Sequence, residues 1–505
     1  MFESQFEQYI KQCRWFGGKG KSIQELNIKD IITLPSQDDF FQLFIIEIVY
    51  KAGQNELYLL PIAFSEKREP INGKIAKVNY QGKNGYFYEA VFNEKFRHLL
   101  LELINNNEVI SSTKGALSAL PGKKFKSIFK KNKLPQKSII SQVQQSNTSL
   151  FYEDVFFLKL YRRLQNGIHP EEQMTKYLTE FTDFNQIPTF AGSIEWTPVN
   201  GETITLALLQ EFVPNKGDAW SYFCDVNNTF INKAIKQSQY TQTEELLDPS
   251  FMQNVDLLGK RTAQLHTALS DFCDDSGITA EPISQQYRQF LYESSGNLAH
   301  KVFDELNFGD FADLIKDDIA KLISVKDKIF QRIEGVKNTK LSGKLIRTHG
   351  DYHLGQVLFT GTDFIITDFE GEPTRPLSQR RQKHIALRDI GGMIRSFHYA
   401  SYSPVLNNKY NSAETESLLY WSGQWYQYVS ERFLNSYFNN LSKTDFLPSA
   451  PDEIEYLLDF YMLEKAIYEL DYELHNRPSW LIVAAKGILQ IISKKTEIHH
   501  FSKNI

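Results

Sequence analysis

One run of the chain concentrates residues able to do chemistry. An acid, Asp351, sits in the turn-like His349-Gly350-Asp351. Five residues on comes an amide, Gln356, and twelve beyond it, at the end of an apolar stretch, a second acid, Asp368. A carboxylate in a tight turn can take a proton from an attacking hydroxyl. An amide oxygen and a carboxylate side by side can hold a divalent cation, and the amide does so without adding negative charge. A His-Gly-Asp triplet by itself is an ordinary turn. The amide at the fifth place, the hairpin sequence Thr360-Gly361-Thr362-Asp363 and the terminal Asp368 are what raise the chemical reading above it.

Protein kinases use this layout for phosphoryl transfer, with the first Asp as base and the amide and second Asp as Mg²⁺ ligands. The spacing therefore predicts Asp351 as base and Gln356 and Asp368 as metal ligands. Such chemistry also needs a cation on the nucleotide phosphates. Lys159 interrupts the apolar strand 156–161, where a lysine is costly unless it meets an anion; an edge-strand lysine facing water is the plain alternative. Ser146, Asn147, Thr148 and Ser149 precede that strand and could cover phosphates with N–H and hydroxyl groups, although no Gly-rich loop is present. Glu171 and Glu172 on the next predicted helix are both available to pair with Lys159, and Gln210, Glu211, Phe212 and Val213 read as a hinge that meets adenine.

The elements that must position these groups follow from periodicity. Residues 1–110 read as a small mixed unit, with strands over 40–50, 57–64 and 86–92 and a helix over 94–104. Residues 123–137 hold seven lysines and no acid, which reads as a solvated hairpin or linker in preference to a phosphate or polyanion contact. Strand signals return over 149–161 and 204–212, and a helix is expected from Pro170 to about Phe181. Beyond 218 the pattern is helical, notably over 416–438 and 454–473, interrupted by short strands at 356–359 and 364–368. The organisation expected is a cap at 1–110, a β-rich nucleotide-binding lobe at 111–213 and a helical catalytic and sugar-binding lobe at 214–505.

Composition narrows the class. The 505 residues carry 56 basic and 61 acidic side chains, a net charge of −5, which argues against nucleic-acid binding by bulk charge. Cys13, Cys224 and Cys273 are too few and too scattered for a disulfide scaffold. No signal peptide is visible, and the longest apolar stretch, 480–492, is broken by Lys486. A cytoplasmic protein with no membrane partner is expected.

The sequence resembles bacterial maltokinases, including the maltokinase part of trehalose synthase–maltokinase fusions. The resemblance rests on blocks at 14–20 (RWFGGKG), 145–149, 158–163, 210–220, 258–266, 347–376, 388–397, 464–473 and 476–480. It implies an α+β, bilobal, aminoglycoside phosphotransferase-like kinase fold with an N-terminal mixed α/β cap. It implies ATP-dependent phosphorylation of maltose at the anomeric hydroxyl, yielding maltose 1-phosphate for α-glucan (glycogen) synthesis, with ATP and Mg²⁺ as cofactors. Position by position, it makes Asp351 the base, Gln356 and Asp368 the Mg²⁺ ligands and Lys159 the phosphate lysine. Relatives often carry an acid where Gln173 stands, so the partner of Lys159 stays open between Glu172 and Glu171. No trehalose synthase domain precedes residue 1, so a separate trehalose synthase is the expected partner.

A sugar needs acids and amides for its hydroxyls and aromatic faces for its rings. His353, Glu370, Arg388, Tyr468, Glu469, Arg477 and Trp480 have those types, although each taken alone is an ordinary surface or core group. For Arg388 an internal ion pair with Asp389 competes with substrate contact. The segment 14–20 reads as cap packing or as a lid. Two other functions compete: a kinase of an amino-sugar or aminoalcohol, disfavoured by Arg375, Arg380, Arg381, Arg388 and Arg477, and a non-catalytic glucan-pathway partner, disfavoured by the complete set Lys159, Asp351, Gln356 and Asp368.

Overall fold

The structure, a computed structural model, describes the chain except residues 1–2, 38, 67–71, 130–132, 142–145, 274–278, 310, 312, 373–374, 408–411 and 494–505. Gln145, three residues of the lysine run and Pro373 thus lie outside the described residues. The chain divides into two compact units, residues 1–214 and 215–505.

In the first unit, long apolar segments rich in Ile, Phe and Leu form strands covered on both faces. The first sheet runs in the order Ile23–Thr33, Phe41–Tyr50, Glu56–Ser65, Lys83–Glu89, Lys74–Tyr80, and Arg163–Leu164 also pairs with Glu56–Ser65. The helix Glu3–Gln12 covers one face through Phe6 and Ile10. The other face shares a core with the helix Glu94–Asn106 and a second sheet, through Ile45, Leu59, Phe96, Leu158 and Leu208. This single unit therefore contains both stretches that sequence reading separates at residue 110.

The second sheet has the order Val109–Ser111, Gly115–Pro121, Phe190–Pro198, Ile204–Glu211, Phe156–Leu160, Thr148–Tyr152, Ser138–Ile140. Residues 152–154 form a hairpin reversal, with Glu153 at φ 51°, which sets Ser149 directly opposite Lys159. Residues facing each other across an antiparallel pair share a sheet face. The helix Pro170–Phe181 begins as its sequence predicts, with Pro in the first turn and His169 as cap.

The second unit is mainly helical. Ala219–Ala234, Pro249–Ser270, Leu387–Asn407 and Ser412–Asn439 enclose an aromatic core that includes Phe223, Phe251, Phe397, Trp425 and Phe433. Asp218, Asp248 and Ser284 cap three of its helices. The hairpin Val357–Phe359/Phe364–Ile366 reverses through Gly361 at φ 100°. It is held down by Tyr222 stacked on Phe359 at 4.2 Å and by Arg261 paired to Asp363 at 2.8 and 2.6 Å. No described helix is long and apolar enough to cross a membrane.

Candidate active site

The 349–351 turn is fixed from below by a buried carboxylate. Asp389 accepts the main-chain N–H of His349 at 2.7 Å and of Gly350 at 3.0 Å. Its Oδ2 also faces His266 Nε2 at 3.2 Å; a carboxylate only accepts, so that ring nitrogen carries the hydrogen. Burial works to raise the pKa of Asp389, but the His266 hydrogen bond and the turn's N–H groups win and hold it below the usual range. Gly350 has φ 88°, a conformation that side chains resist, and a Cβ there would lie 3.2 Å from Gly371 Cα. His349 Nε2 donates to Thr367 O at 2.8 Å, which ties the turn to the end of the hairpin.

Asp351 is displayed by that turn. Lys465, on the helix Pro451–Asn476, places Nζ 2.9 Å from Asp351 Oδ1. His353 Nε2 lies 3.9 Å from Oδ2. The ring's Nδ1 accepts the Gly355 N–H at 3.1 Å, so a neutral His353 carries its hydrogen on Nε2, toward Asp351. Burial acts to raise the Asp351 pKa, yet the Lys465 ammonium, with His353 and His349, drives it well below the ordinary carboxylate range. Lys465 is correspondingly raised: burial opposes its charge, and Asp351 and Glu372 outweigh burial.

Gln356 and Asp368 meet at the open end of the hairpin, where Gln356 Nε2 donates to Asp368 Oδ2 at 2.8 Å. Asp368 itself adopts φ 64°, uncommon for a residue with a side chain. With the amide N–H₂ turned to the carboxylate, the remaining donors are hard oxygens, the set that suits Mg²⁺.

Beneath the turn lies an ion-pair network. Glu372 Oε1 is 3.7 Å from Lys465, and Glu372 also binds Arg388 at 3.2 Å and Arg375 Nε. Glu464 faces Arg375 at 3.5 Å and Arg388 at 4.0 Å. This corrects one expectation for Arg388: it does not pair with Asp389, and its side chain, 10% exposed, is engaged by Glu372 and Glu464. Glu370 lies 3.9 Å from Arg380.

From Lys465 the helix face continues through Tyr468, Glu469, Tyr472 and Glu473, spaced one turn apart. Lys465 Nζ stands 4.7 Å over the Tyr468 ring. Glu469 binds Arg395 at 2.5 and 2.9 Å, and Glu473 binds Arg477 at 2.6 and 3.0 Å. Arg477 lies over the Trp480 ring at 5.1 Å, and Trp480 stacks on Tyr399 at 5.8 Å. Tyr468, Glu469, Arg477 and Trp480 thus form one polar and aromatic stripe leading away from Asp351. Sequence reading missed Lys465, Glu372 and Arg395. The signal for Lys465 was present, since it sits one turn before Tyr468 and Glu469 on the same face.

In the first unit, Lys159 is buried and its Nζ is 2.9 Å from Glu171 Oε2, which also accepts the Tyr161 hydroxyl at 2.9 Å. The choice left open between two glutamates therefore falls to Glu171. Glu172 is turned about 100° further round the helix. It accepts the Thr205 hydroxyl at 2.5 Å and lies beside Glu195, so it is not the partner of Lys159. Burial first, then the Glu195 carboxyl, push its pKa up to about 8.

Thr148 Oγ1 accepts Arg162 Nε at 2.7 Å, and Asn147 Oδ1 receives the Arg162 main-chain N–H at 3.4 Å. Ser146 opens this segment, just ahead of the strand beginning at Thr148. Over 210–213, the segment expected to be a hinge, the N–H groups of Glu211 and Phe212 bind Thr189 O and Val155 O, and Gln210 is buried with Nε2 lacking a hydrogen-bond partner.

Residues 9–92 match the maltokinase N-terminal cap domain. The chain is 21% identical over 364 residues to a glucosamine kinase of Mycolicibacterium smegmatis, covering 70% of this chain and 79% of that protein. It is 20% identical over 358 residues to a glucosamine kinase of Streptacidiphilus jiangxiensis, covering 70% and 73%. A solved glucosamine kinase in complex with glucosamine, ADP and inorganic phosphate superposes with a TM-score of 0.65 at 15% identity, covering 96% of this chain and 98% of the other. A second glucosamine kinase structure gives 0.64, covering 96% and 99%. The fold is thus the kinase fold of these enzymes, α+β with the added N-terminal cap.

Proposed function

We infer that this chain, a maltokinase-type protein by its cap and its fold, transfers the γ-phosphoryl group of ATP to the anomeric hydroxyl of maltose, giving maltose 1-phosphate and ADP. One observation carries the reading: Asp351, paired with Lys465 at 2.9 Å, stands in a turn braced by Asp389, on the same motif that joins Gln356 to Asp368 at 2.8 Å. In the reaction the sugar oxygen bonds to the γ-phosphorus, the bond to the β–γ bridging oxygen breaks, and ADP leaves. Asp351 orients the hydroxyl and takes its proton. Gln356 and Asp368 are the oxygens that would hold Mg²⁺, whose charge offsets that of the phosphates when it is bound. Lys159, held by Glu171, supplies the phosphate cation, and the 146–149 segment covers the phosphates.

The acceptor is read from the stripe on the 451–476 helix. Tyr468 and Trp480 offer ring faces, and Glu469 and Arg477 offer hydroxyl partners, over a length that suits more than one sugar ring. The names of the relatives favour a second acceptor, glucosamine. The test is product analysis by NMR after incubation with maltose and Mg²⁺-ATP. Phosphate on the anomeric carbon is expected, Asp351→Asn should slow turnover by about 10²–10⁴-fold, and Asp368→Ala should remove Mg²⁺-dependent ATP use. A product phosphorylated elsewhere, or near-normal turnover in either variant, would refute the assignment.

A further inference from the structure

We propose that Lys465 sets the charge class of the sugar, admitting neutral hydroxyl acceptors beside Asp351 and excluding sugars that carry an ammonium group there. The inference rests on the reading of Asp351 as the base that receives the acceptor hydroxyl. Lys465 Nζ is 2.9 Å from Asp351 Oδ1, 3.7 Å from Glu372 Oε1 and 4.7 Å from the Tyr468 ring centre. Its side chain and that of Asp351 each retain 18% exposure, so the pair is not fully enclosed.

The acids around it already have cations. Glu372 holds Arg388 and Arg375, Glu464 faces the same two arginines, Glu469 holds Arg395 and Glu473 holds Arg477. An amino-sugar whose hydroxyl sat on Asp351 would set its own positive charge within a few ångströms of Lys465. It would gain no carboxylate that is not already paired on this helix face. Like charges at that separation in a partly dry site repel strongly. A neutral sugar finds an acceptor in Asp351 and a donor in Lys465 side by side. The glucosamine kinase that shares the fold holds glucosamine, so the fold alone does not decide the acceptor, and the local charge must.

The test compares kcat/KM for maltose, glucose, glucosamine and N-acetylglucosamine in the full chain and in Lys465→Met, Lys465→Glu and Lys465→Arg. N-acetylglucosamine controls for mere loosening, because it is bulky at the same carbon but neutral. Wild type should use the neutral sugars and discriminate against glucosamine. Lys465→Met should lower maltose turnover and raise the glucosamine-to-maltose ratio by about 10–100-fold, Lys465→Glu by more, and Lys465→Arg should restore the wild-type ratio. A wild type that uses glucosamine as well as maltose overturns the inference. So does an unmoved ratio in both Met and Glu variants, or an equal gain for N-acetylglucosamine.

Should the variants fail to fold, or wild type phosphorylate none of these sugars, calorimetry on wild type decides. Glucose binding at least tenfold tighter than glucosamine supports the inference, and equal or absent binding overturns it. Absence of maltose turnover with intact preference for neutral sugars would count against the proposed reaction alone.

Discussion

Asp389 makes no contact with a reacting atom in the proposed scheme, yet the geometry assigns it a large share of the site's integrity. Asp389→Ala would remove the acceptor of two buried main-chain N–H groups, at 2.7 and 3.0 Å, and the partner of a fully buried imidazole at 3.2 Å. Charged hydrogen bonds of this kind each contribute about 1.5–3 kcal/mol, and leaving one member of a buried set unpaired costs roughly 3–5 kcal/mol. Asp389→Asn keeps the shape, but its amide must point N–H₂ at one of the donors, so about 2–3 kcal/mol is expected.

Thermal melts of the full chain read the stability loss, and turnover at a temperature where both proteins are folded reads the turn. At about 2–4 °C per kcal/mol, Asp389→Ala should lower the transition by roughly 6–20 °C, with Asp389→Asn between it and wild type. Turnover should fall at least tenfold in both, since the carboxylate of Asp351 loses its fixed direction. An Asp389→Ala protein that melts within 2 °C of wild type and keeps turnover within twofold would show that the turn stands without its brace.

Two further outcomes follow from positions described above. Glu172 has a raised folded-state pKa, about 8 against 4.5 when unfolded, so its neutral form is the one the fold favours. The corresponding stability is complete below pH 4.5 and is lost as pH rises through 8, by on the order of 1.4 kcal/mol per pH unit at most. Glu172→Gln should therefore flatten the decline in melting temperature between pH 5 and 9; parallel profiles for the two proteins would argue against the shifted carboxyl. Gly350→Ala should cost about 1–3 kcal/mol through its positive φ and its contact with Gly371, and should lower turnover about tenfold or more. Unchanged melting and kinetics would mean the turn relaxes freely.

What sequence revealed of this site depended on how local the signal was. Asp351, Gln356 and Asp368 lie within one turn and one hairpin, so spacing alone could associate them. The helix at 170–181 announced itself through Pro170 and a spaced apolar face, but not which of Glu171 and Glu172 looks toward the strand carrying Lys159. A helix turns about 100° per residue, and only packing fixes that phase. Lys465 shares a helix face with Tyr468 and Glu469, but its role was not legible there: its partner Asp351 is 114 positions away, and a lysine on a helix reads as solvated until the opposite surface is known. The strand Phe190–Pro198 was missed because Gly192 interrupts its alternation. In the structure that glycine lets the backbone of Leu120 approach where a Cβ would stand 2.6 Å from its carbonyl oxygen.

The completely buried Arg162 limits how the chain can be shortened. Its guanidinium binds Glu89 from the first sheet and Thr148 from the second, its main-chain carbonyl receives the N–H of Leu59, and Trp15 lies against its planar face. A shortened chain beginning after residue 110 would strand a positive charge on an apolar surface stripped of its covering layer. The cap is accordingly no detachable accessory. A version trimmed of residues 1–110 for expression would need residue 162 and its surroundings rebuilt at the same time.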